Sequence, residues 1–317
     1  MTTTRAVGIV QPGGPEMLQV IERDVREPEA GEVRLAVRAA AVNPTDVGLR
    51  QRGAPGLPPP WVPGMDAAGT VESVGAGVEH VAVGDAVIAA VMPRRPEGGA
   101  QAQLVVVPAA SVVPLPPGAT LEQAATLPMN GLTALRGLEL LDLGAGETLL
   151  VTGGAGLLAS YAIPLAKRRG LRVLADAAPA DEELVRGFGA DLVLPRGEDL
   201  HAVVRAAVPG GVDAVFDTAL LGRSIFPAIR PGGALAFLRS WDGGDVEDGI
   251  RIDRVWIGDV IERTDWLREL AGLAAEGVLR LRVAATFPPE RAADAHRLLE
   301  GGGLRGRAVV VFDGHDA

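Results

Sequence analysis

Thr148-Leu149-Leu150-Val151-Thr152-Gly153-Gly154-Ala155-Gly156-Leu157-Leu158-Ala159 decides how this chain is read. Residues 149–151 form a short apolar run, as a strand buried on both faces requires. Gly153, Gly154 and Gly156 permit a tight turn with positive φ and let a ligand approach the backbone closely. A helix is expected over 157–169, with its free N–H groups and positive dipole end directed at a pyrophosphate. Gly154, Gly156 and Ala159 satisfy the pattern G-x-G-x-x-G/A. Asp176, 22 residues beyond Gly154, ends the next apolar run at 171–175. An acid in that place accepts hydrogen bonds from the ribose hydroxyls of a dinucleotide. The local pattern also allows a glycine turn in an α/β domain that binds no nucleotide.

Outward from this turn, apolar runs alternate with helical stretches. Strands are expected at 149–151, 172–175, 192–194, 214–216 and 234–238, with helices at 181–187 and 199–208. This is the rhythm of a doubly wound parallel sheet. Pro164 falls inside the first helix and should kink it or remove one hydrogen bond. Helices are expected at 121–127 and 131–141. The first 120 residues read differently: 33–39 alternates apolar and polar residues, and 69–74, 85–91 and 103–107 are short runs bounded by Gly or Pro. The proline-rich stretch 53–63 reads as a surface loop. The tail returns to the β-rich texture, with strands at 281–287 and 307–312 around a helix at 290–300. The expected fold is therefore α/β, with a β-rich domain from 1–120 and 281–317 and a Rossmann-type domain over 121–280.

Composition narrows the function. The 317 residues carry a formal net charge of −10, which argues against nucleic acid or an anionic membrane surface as partner. No stretch is long and apolar enough to span a bilayer, and Met-Thr-Thr-Thr-Arg lacks a signal-peptide core, so a cytoplasmic protein is expected. Cysteine is absent, which removes thiol catalysis, disulfides and cysteine-ligated zinc. His80, His201, His296 and His315 are scattered without metal-ligand spacing, so no metal is expected. The single tyrosine, Tyr161, lies in the nucleotide helix and suits packing.

Several further stretches carry a resemblance that runs nearly end to end. Asn43-Pro44-Thr45-Asp46 is similar to N-P-x-D, Pro63-Gly64-Met65-Asp66-Ala67-Ala68-Gly69 to P-G-x-D-x-A-G, and Val83-Gly84-Asp85-Ala86-Val87 to V-G-D-x-V. Leu127-Pro128-Met129-Asn130-Gly131-Leu132-Thr133-Ala134, Asp217-Thr218 and Arg230-Pro231-Gly232-Gly233 match later elements. The chain thus resembles the medium-chain dehydrogenase/reductase superfamily, in its zinc-free quinone oxidoreductase and enoyl reductase-like branch. The resemblance implies a GroES-like catalytic domain beside a Rossmann domain, with a cleft separating them. It also implies a nicotinamide cofactor, usually NADPH, hydride transfer to an activated alkene or a quinone, and a homodimer.

Three departures bear on that implication. Leu157 stands where relatives carry a glycine, and its side chain would either crowd the pyrophosphate or point into the sheet. After the second strand relatives often place Ser and Lys, whereas Asp176 here favours NADH; Arg196 is the nearby basic candidate for the 2′-phosphate of NADPH. The aromatic residues that relatives carry after N-P-x-D and in G-x-Y-A-E-Y are missing, so no tyrosine acid is available. By position, Asn43 and Asn130 would orient the acceptor or the carboxamide, and Asp46 would relay a proton through water; turn or helix caps are the competing readings. Gly153, Gly154, Gly156, Leu157, Asp176, Arg196, Asp217, Thr133 and Thr218 form the candidate cofactor set. Arg239, Trp241 and Trp256 would line the substrate mouth or a dimer edge. The alternative function is a cofactor-free enzyme on the same fold, a cyclase or isomerase, or a ligand-binding protein.

Overall fold

The structure, a computed structural model, describes residues 2–239, 241 and 249–313. His315 lies outside the described residues. The chain forms two compact units, Met1–Met129 with Gly258–Ala317, and Asn130–Ile257.

The β-rich unit opens with an antiparallel pair, β1 (Thr2–Ile9) and β2 (Leu18–Val25). Next come β3 (Glu32–Ala41), α1 (Pro44–Arg52), β4 (Asp66–Val74), β5 (Ala86–Ala90), β6 (Leu104–Pro108), β7 (Val112–Pro114) and the short α2 (Leu121–Ala124). Helix α3 (Pro128–Leu141) leads into the second unit. There the elements alternate: β8 (Thr148–Val151), α4 (Leu157–Arg168), β9 (Arg172–Ala177), α5 (Glu182–Arg186), β10 (Leu192–Pro195), α6 (Leu200–Ala207), β11 (Val212–Asp217), β12 (Ile229–Phe237) and β13 (Arg251–Arg254). The chain then returns to the first unit through α7 (Thr264–Ala275), β14 (Val283–Phe287), α8 (Ala292–Glu300) and β15 (Arg307–Val311).

The alternation at 33–39 does what its period requires. Val33, Leu35 and Val37 are buried in one apolar cluster with Val71, Val87 and Val105 from neighbouring strands. The sheet order is β14-β15-β3-β4-β5-β7, with β6 also paired to β3. Its β15 comes from the tail and lies antiparallel to β3, Val309 opposite Ala41, so both chain ends build one sheet. Helices α2 and α7 pack against strands of this unit, α2 on β3 and β4 and α7 on β7. The compact units accordingly divide at 129/130 and 257/258, whereas the expected domain limits lie at 120/121 and 280/281.

In the second unit every strand pair is parallel, in the order β10-β9-β8-β11-β12-β13. Numbered within the unit this is 3-2-1-4-5-6, the doubly wound order whose ligands sit beyond the carboxyl ends of the strands where the order reverses, here between β8 and β11. Leu150, Leu174, Val215 and Leu235 bury the strand centres, as double-sided coverage demands. Helix α4 runs through Pro164 without interruption. The proline ring costs the Ser160 carbonyl its ordinary partner but does not end the helix.

Candidate functional site

The glycine turn sits at the carboxyl end of β8. Gly153 adopts φ +68°, the left-handed region that favours glycine. Gly154 is glycine for a different reason: a Cβ there would stand 2.8 Å from the Asp176 carbonyl oxygen and 3.0 Å from Val185 Cγ1. The turn therefore presses directly on β9 and α5. Gly156 is the N-cap of α4 and brings no side chain of its own to the helix end, and no acidic residue lies in the first turn. The first N–H groups of α4 have no intrahelical acceptor, so this end fits a pyrophosphate. Leu157 is 1% exposed. Its side chain is interior and leaves the open end of the helix clear.

Asp176 lies near the end of β9 and is 3% exposed. One carboxylate oxygen accepts the Gly153 N–H at 2.5 Å and the other accepts Arg196 Nε–H at 3.0 Å. Arg196 follows β10, and its backbone N–H is held by the Ala177 carbonyl. Its side chain is 49% exposed, and among the described residues it makes no other hydrogen bond or ion pair. Asp176 thus fixes the root of the guanidinium, whose terminal nitrogens make no hydrogen bond or ion pair among the described residues.

At the reversal between β8 and β11, Asp217 is buried and accepts Thr152 Oγ1–H at 2.7 Å and the Gly222 N–H at 2.8 Å. Thr218 Oγ1 donates to the Thr152 carbonyl, and the Ala219 N–H reaches Thr152 Oγ1 at 3.0 Å. Asp217 and Thr218 therefore join with Thr152 to tie the two strand ends together. Thr152 is the member that sequence reasoning missed. Its only signal was its place between a strand and a glycine turn. Asn130 and Thr133 lie near the start of α3, both buried. Gly137, one turn further on, lets α3 approach β11: a Cβ there would meet the Phe216 ring at 2.3 Å.

The β-rich unit holds a second polar cluster. Asn43 is the N-cap of α1, and Pro44 fills its first position, where a missing N–H costs nothing. The Asn43 N–H donates to Asp46 Oδ2 at 2.8 Å, and the Gly64 N–H donates to Asp46 Oδ1 at 2.8 Å. Asn43 Nδ2–H donates to Asp66 Oδ2 at 2.6 Å, the Met129 N–H to Asp66 Oδ1 at 2.6 Å, and Arg307 Nε–H to Asn43 Oδ1 at 2.8 Å. Asn43, Asp46 and Asp66 are all buried. Burial pushes the Asp46 carboxyl up to about 6 against the pull of its two backbone donors. It pushes Asp66 up to about 7 against the donors from Met129 and Asn43, with the neighbouring Asp46 charge adding to the rise. In the sequence Asp66 is one position of a longer motif and Arg307 carries no signal, so neither stands out as a site residue.

The remaining candidates lie apart from these clusters. Tyr161 is buried inside α4. Trp241 stacks on Phe226 with ring centroids 5.3 Å apart, and Arg254 lies 5.1 Å from the Trp256 ring centroid. His80 Nε2 is 3.0 Å from the Ala109 carbonyl oxygen. His296 is buried against Arg50 and Glu300, and burial pushes it down to about 4.

The donor set does not suit a zinc ion. The chain has no cysteine, and among the described residues no three His, Asp or Glu side chains gather as ligands. Asp46 and Asp66 are each committed to two N–H donors. No helix among the described residues is long and apolar enough to cross a membrane.

Comparison with known proteins agrees with this geometry. Residues 29–117 match the alcohol dehydrogenase GroES-like domain family, and residues 188–310 match the family described as zinc-binding dehydrogenase. The chain is 34% identical over 310 residues to the chloroplastic NADPH-dependent alkenal/one oxidoreductase of Arabidopsis thaliana, covering 94% of this chain and 77% of that protein. It is 33% identical over 300 residues to the pikromycin polyketide synthase component PikAII of Streptomyces venezuelae, where it spans only 8% of the relative's length. Among solved structures, the quinone oxidoreductase from Coxiella burnetii superposes with TM-score 0.84 at 26% identity, covering 98% of this chain and 100% of that one. Mycobacterial Rv1454c complexed with NADPH gives TM-score 0.83 at 27% identity over the same shares. With a GroES-like domain and a Rossmann sheet in one chain, and quinone and alkenal/one oxidoreductases among its relatives, this protein belongs to the medium-chain dehydrogenase/reductase superfamily, in its quinone oxidoreductase branch.

Proposed function

We propose that this protein is an NADPH-preferring reductase of small activated alkenes, alkenals or enones, with quinones as the second acceptor class. The observation that carries the reading is the glycine turn at the start of α4 with a guanidinium rooted on the adjoining Asp176. Relatives that use NADPH on alkenals support the reaction class, and an NADPH-bound structural relative supports the cofactor. When bound, NADPH would supply the hydride.

The chain's own residues then bind, orient and hold. The amides at the start of α4 take the pyrophosphate. Arg196 takes the 2′-phosphate, a planar cation suited to that group. Asp176 is buried and engaged with the Gly153 N–H and Arg196, which leaves little of it open to ribose hydroxyls and weighs against the NADH preference its position suggests. Thr133, Thr218 and Asn130 are assigned to the nicotinamide side of the cofactor by their position in the family. Asn43, Asp46 and Asp66 hold the start of α1 and the 63–66 turn in shape. An aromatic content of 3% favours small enones over flat quinones, which need stacking surface. A cytoplasmic homodimer is the expected assembly, and light scattering of the purified protein checks it.

The test is loss of NADPH absorbance with a short alkenal, a cyclic enone and a benzoquinone, each with NADPH or NADH. Turnover of alkenal or enone with NADPH is the expected result. Cofactor binding without turnover of any acceptor would contradict the substrate class, and failure to bind either cofactor would contradict the reading as a whole.

A further inference from the structure

A second pocket lies wholly in the β-rich unit. It is a cavity of about 210 Å³ whose walls include Arg23, Pro60, Trp61, Val62, Arg95 and Pro96. Its lining carries two guanidinium groups and no carboxylate. The two arginines are not equivalent. Arg95 is ion-paired with Glu262 at 2.6 Å. Arg23 has no carboxylate partner among the described residues; its one side-chain hydrogen bond runs to the Pro96 carbonyl at 3.2 Å. The acid whose charge acts on it, Glu97, is hydrogen-bonded to Arg26, which donates to it through Nε and Nη2 at 3.1 and 2.9 Å. Burial lowers the Arg23 guanidinium from its ordinary value, and Glu97 only partly offsets this.

The seat of Arg23 is built. Gly98, at φ +73°, lies under the guanidinium, and a Cβ there would come within 2.7 Å of Arg23 Nη1 and 3.0 Å of Val62 Cβ. Trp61 is fixed on the other wall. Its indole N–H donates to the Leu57 carbonyl at 2.9 Å, and its backbone exchanges both hydrogen bonds with Ile9 of β1. A half-buried cation with no carboxylate hydrogen-bonded to it is costly. An aromatic and proline wall beside it gains by covering an apolar body. We propose that this pocket is a binding site for a small monocarboxylate with a flat apolar body, an aromatic or conjugated acid, its carboxylate on Arg23 and its body against Trp61 and the prolines. The size suits a small ligand, since drug-sized ligands occupy pockets of roughly 300–1,000 Å³. This site is independent of the nucleotide reading.

The test titrates the full chain calorimetrically with benzoate, with its neutral isostere benzamide, and with acetate, at constant ionic strength. Benzoate is expected to saturate at submillimolar concentration, and benzamide and acetate to bind at least tenfold more weakly. Arg23→Gln should weaken benzoate at least tenfold, and Trp61→Leu should weaken it without making benzamide competitive. Arg196→Ala should leave benzoate unchanged. Circular dichroism confirms that each variant is folded, and Arg23→Lys, which keeps the charge but not the fork, should fall between wild type and Arg23→Gln. Equal binding of benzoate and benzamide, no saturation by benzoate, or loss on Arg196→Ala with none on Arg23→Gln would overturn the proposal; the last would place the anion at the nucleotide turn.

Discussion

The glycine turn after β8 and the polar cluster around Asp66 are both organised by a buried carboxylate, but the charge is met in different ways. Asp176 pairs with a real cation that is half exposed. Asp66 accepts hydrogen bonds from neutral donors, the Met129 amide and the Asn43 side chain; Arg307 donates to Asn43, and its charge acts on Asp66 to oppose the rise that burial causes. A carboxylate paired with a half-exposed guanidinium aims a binding group. A carboxyl enclosed by neutral donors joins distant segments and keeps its proton to unusually high pH. In the proposed function the first device serves ligand binding and the second holds the fold.

The contrast breaks first at Asp66. Asp66→Ala takes away the carboxylate that accepts from the Met129 N–H and the Asn43 amide in the interior. Each buried donor that loses its acceptor costs about 1–3 kcal/mol, so a loss of roughly 3 kcal/mol in urea unfolding is expected, and a loss under ~0.5 kcal/mol would show that the cluster bears little of the fold. Gly154→Val comes next. The added side chain forces the turn off β9, and NADPH affinity should fall by roughly a hundredfold, about 2.7 kcal/mol, with the far-ultraviolet circular dichroism retained. Unchanged affinity would mean that the turn is not where the cofactor binds.

The pH dependence sharpens the same comparison. Asp46 and Asp66 are raised to about 6 and about 7 in the folded state, against roughly 3.9 for an unfolded Asp. The folded state therefore binds more protons than the unfolded state between these limits. The contribution is whole below the unfolded value and is lost as pH rises through 6 and 7, by at most ~1.4 kcal/mol per pH unit per group. Unfolding midpoints should fall from pH 5 to pH 8, and Asp66→Asn should flatten the slope. A midpoint that rises over this range would contradict the assignment. The smallest effect is expected for Asp176→Asn. The Gly153 N–H keeps an acceptor while Arg196 loses its ionic anchor, so NADPH should weaken by about threefold to fivefold, ~1 kcal/mol, with NADH little changed.

The two regions were also unequally legible in the sequence. The turn is written in one contiguous run, and the strands around it are apolar runs bounded by breakers, so its sheet could be read. The Asp66 cluster draws its partners from 23 and 63 residues away, and Arg307 lies 264 residues from Asn43. No local period connects such residues. Asn43 and Asp46 could be singled out as a cap or a site, but their joint enclosure with Asp66 could not. Strands β1 and β2 escaped because β2 leaves most of its side chains at least partly exposed and the threonines of β1 mask its apolar end. Strand β13 reads Arg-Ile-Asp-Arg, an edge with a single apolar residue, Ile252, against the core. Asp176 shows the limit most clearly. Its position spoke for ribose, and only the geometry reveals that its two oxygens are already engaged.

The most direct measurement is calorimetric titration of wild type and Arg196→Ala with NADPH and with NADH. The account predicts micromolar binding of NADPH by the wild type, at least tenfold tighter than NADH, and collapse of that preference in Arg196→Ala with NADH affinity retained. A wild-type preference for NADH, a preference for NADPH that survives loss of Arg196, or no binding of either cofactor at millimolar concentration would contradict it.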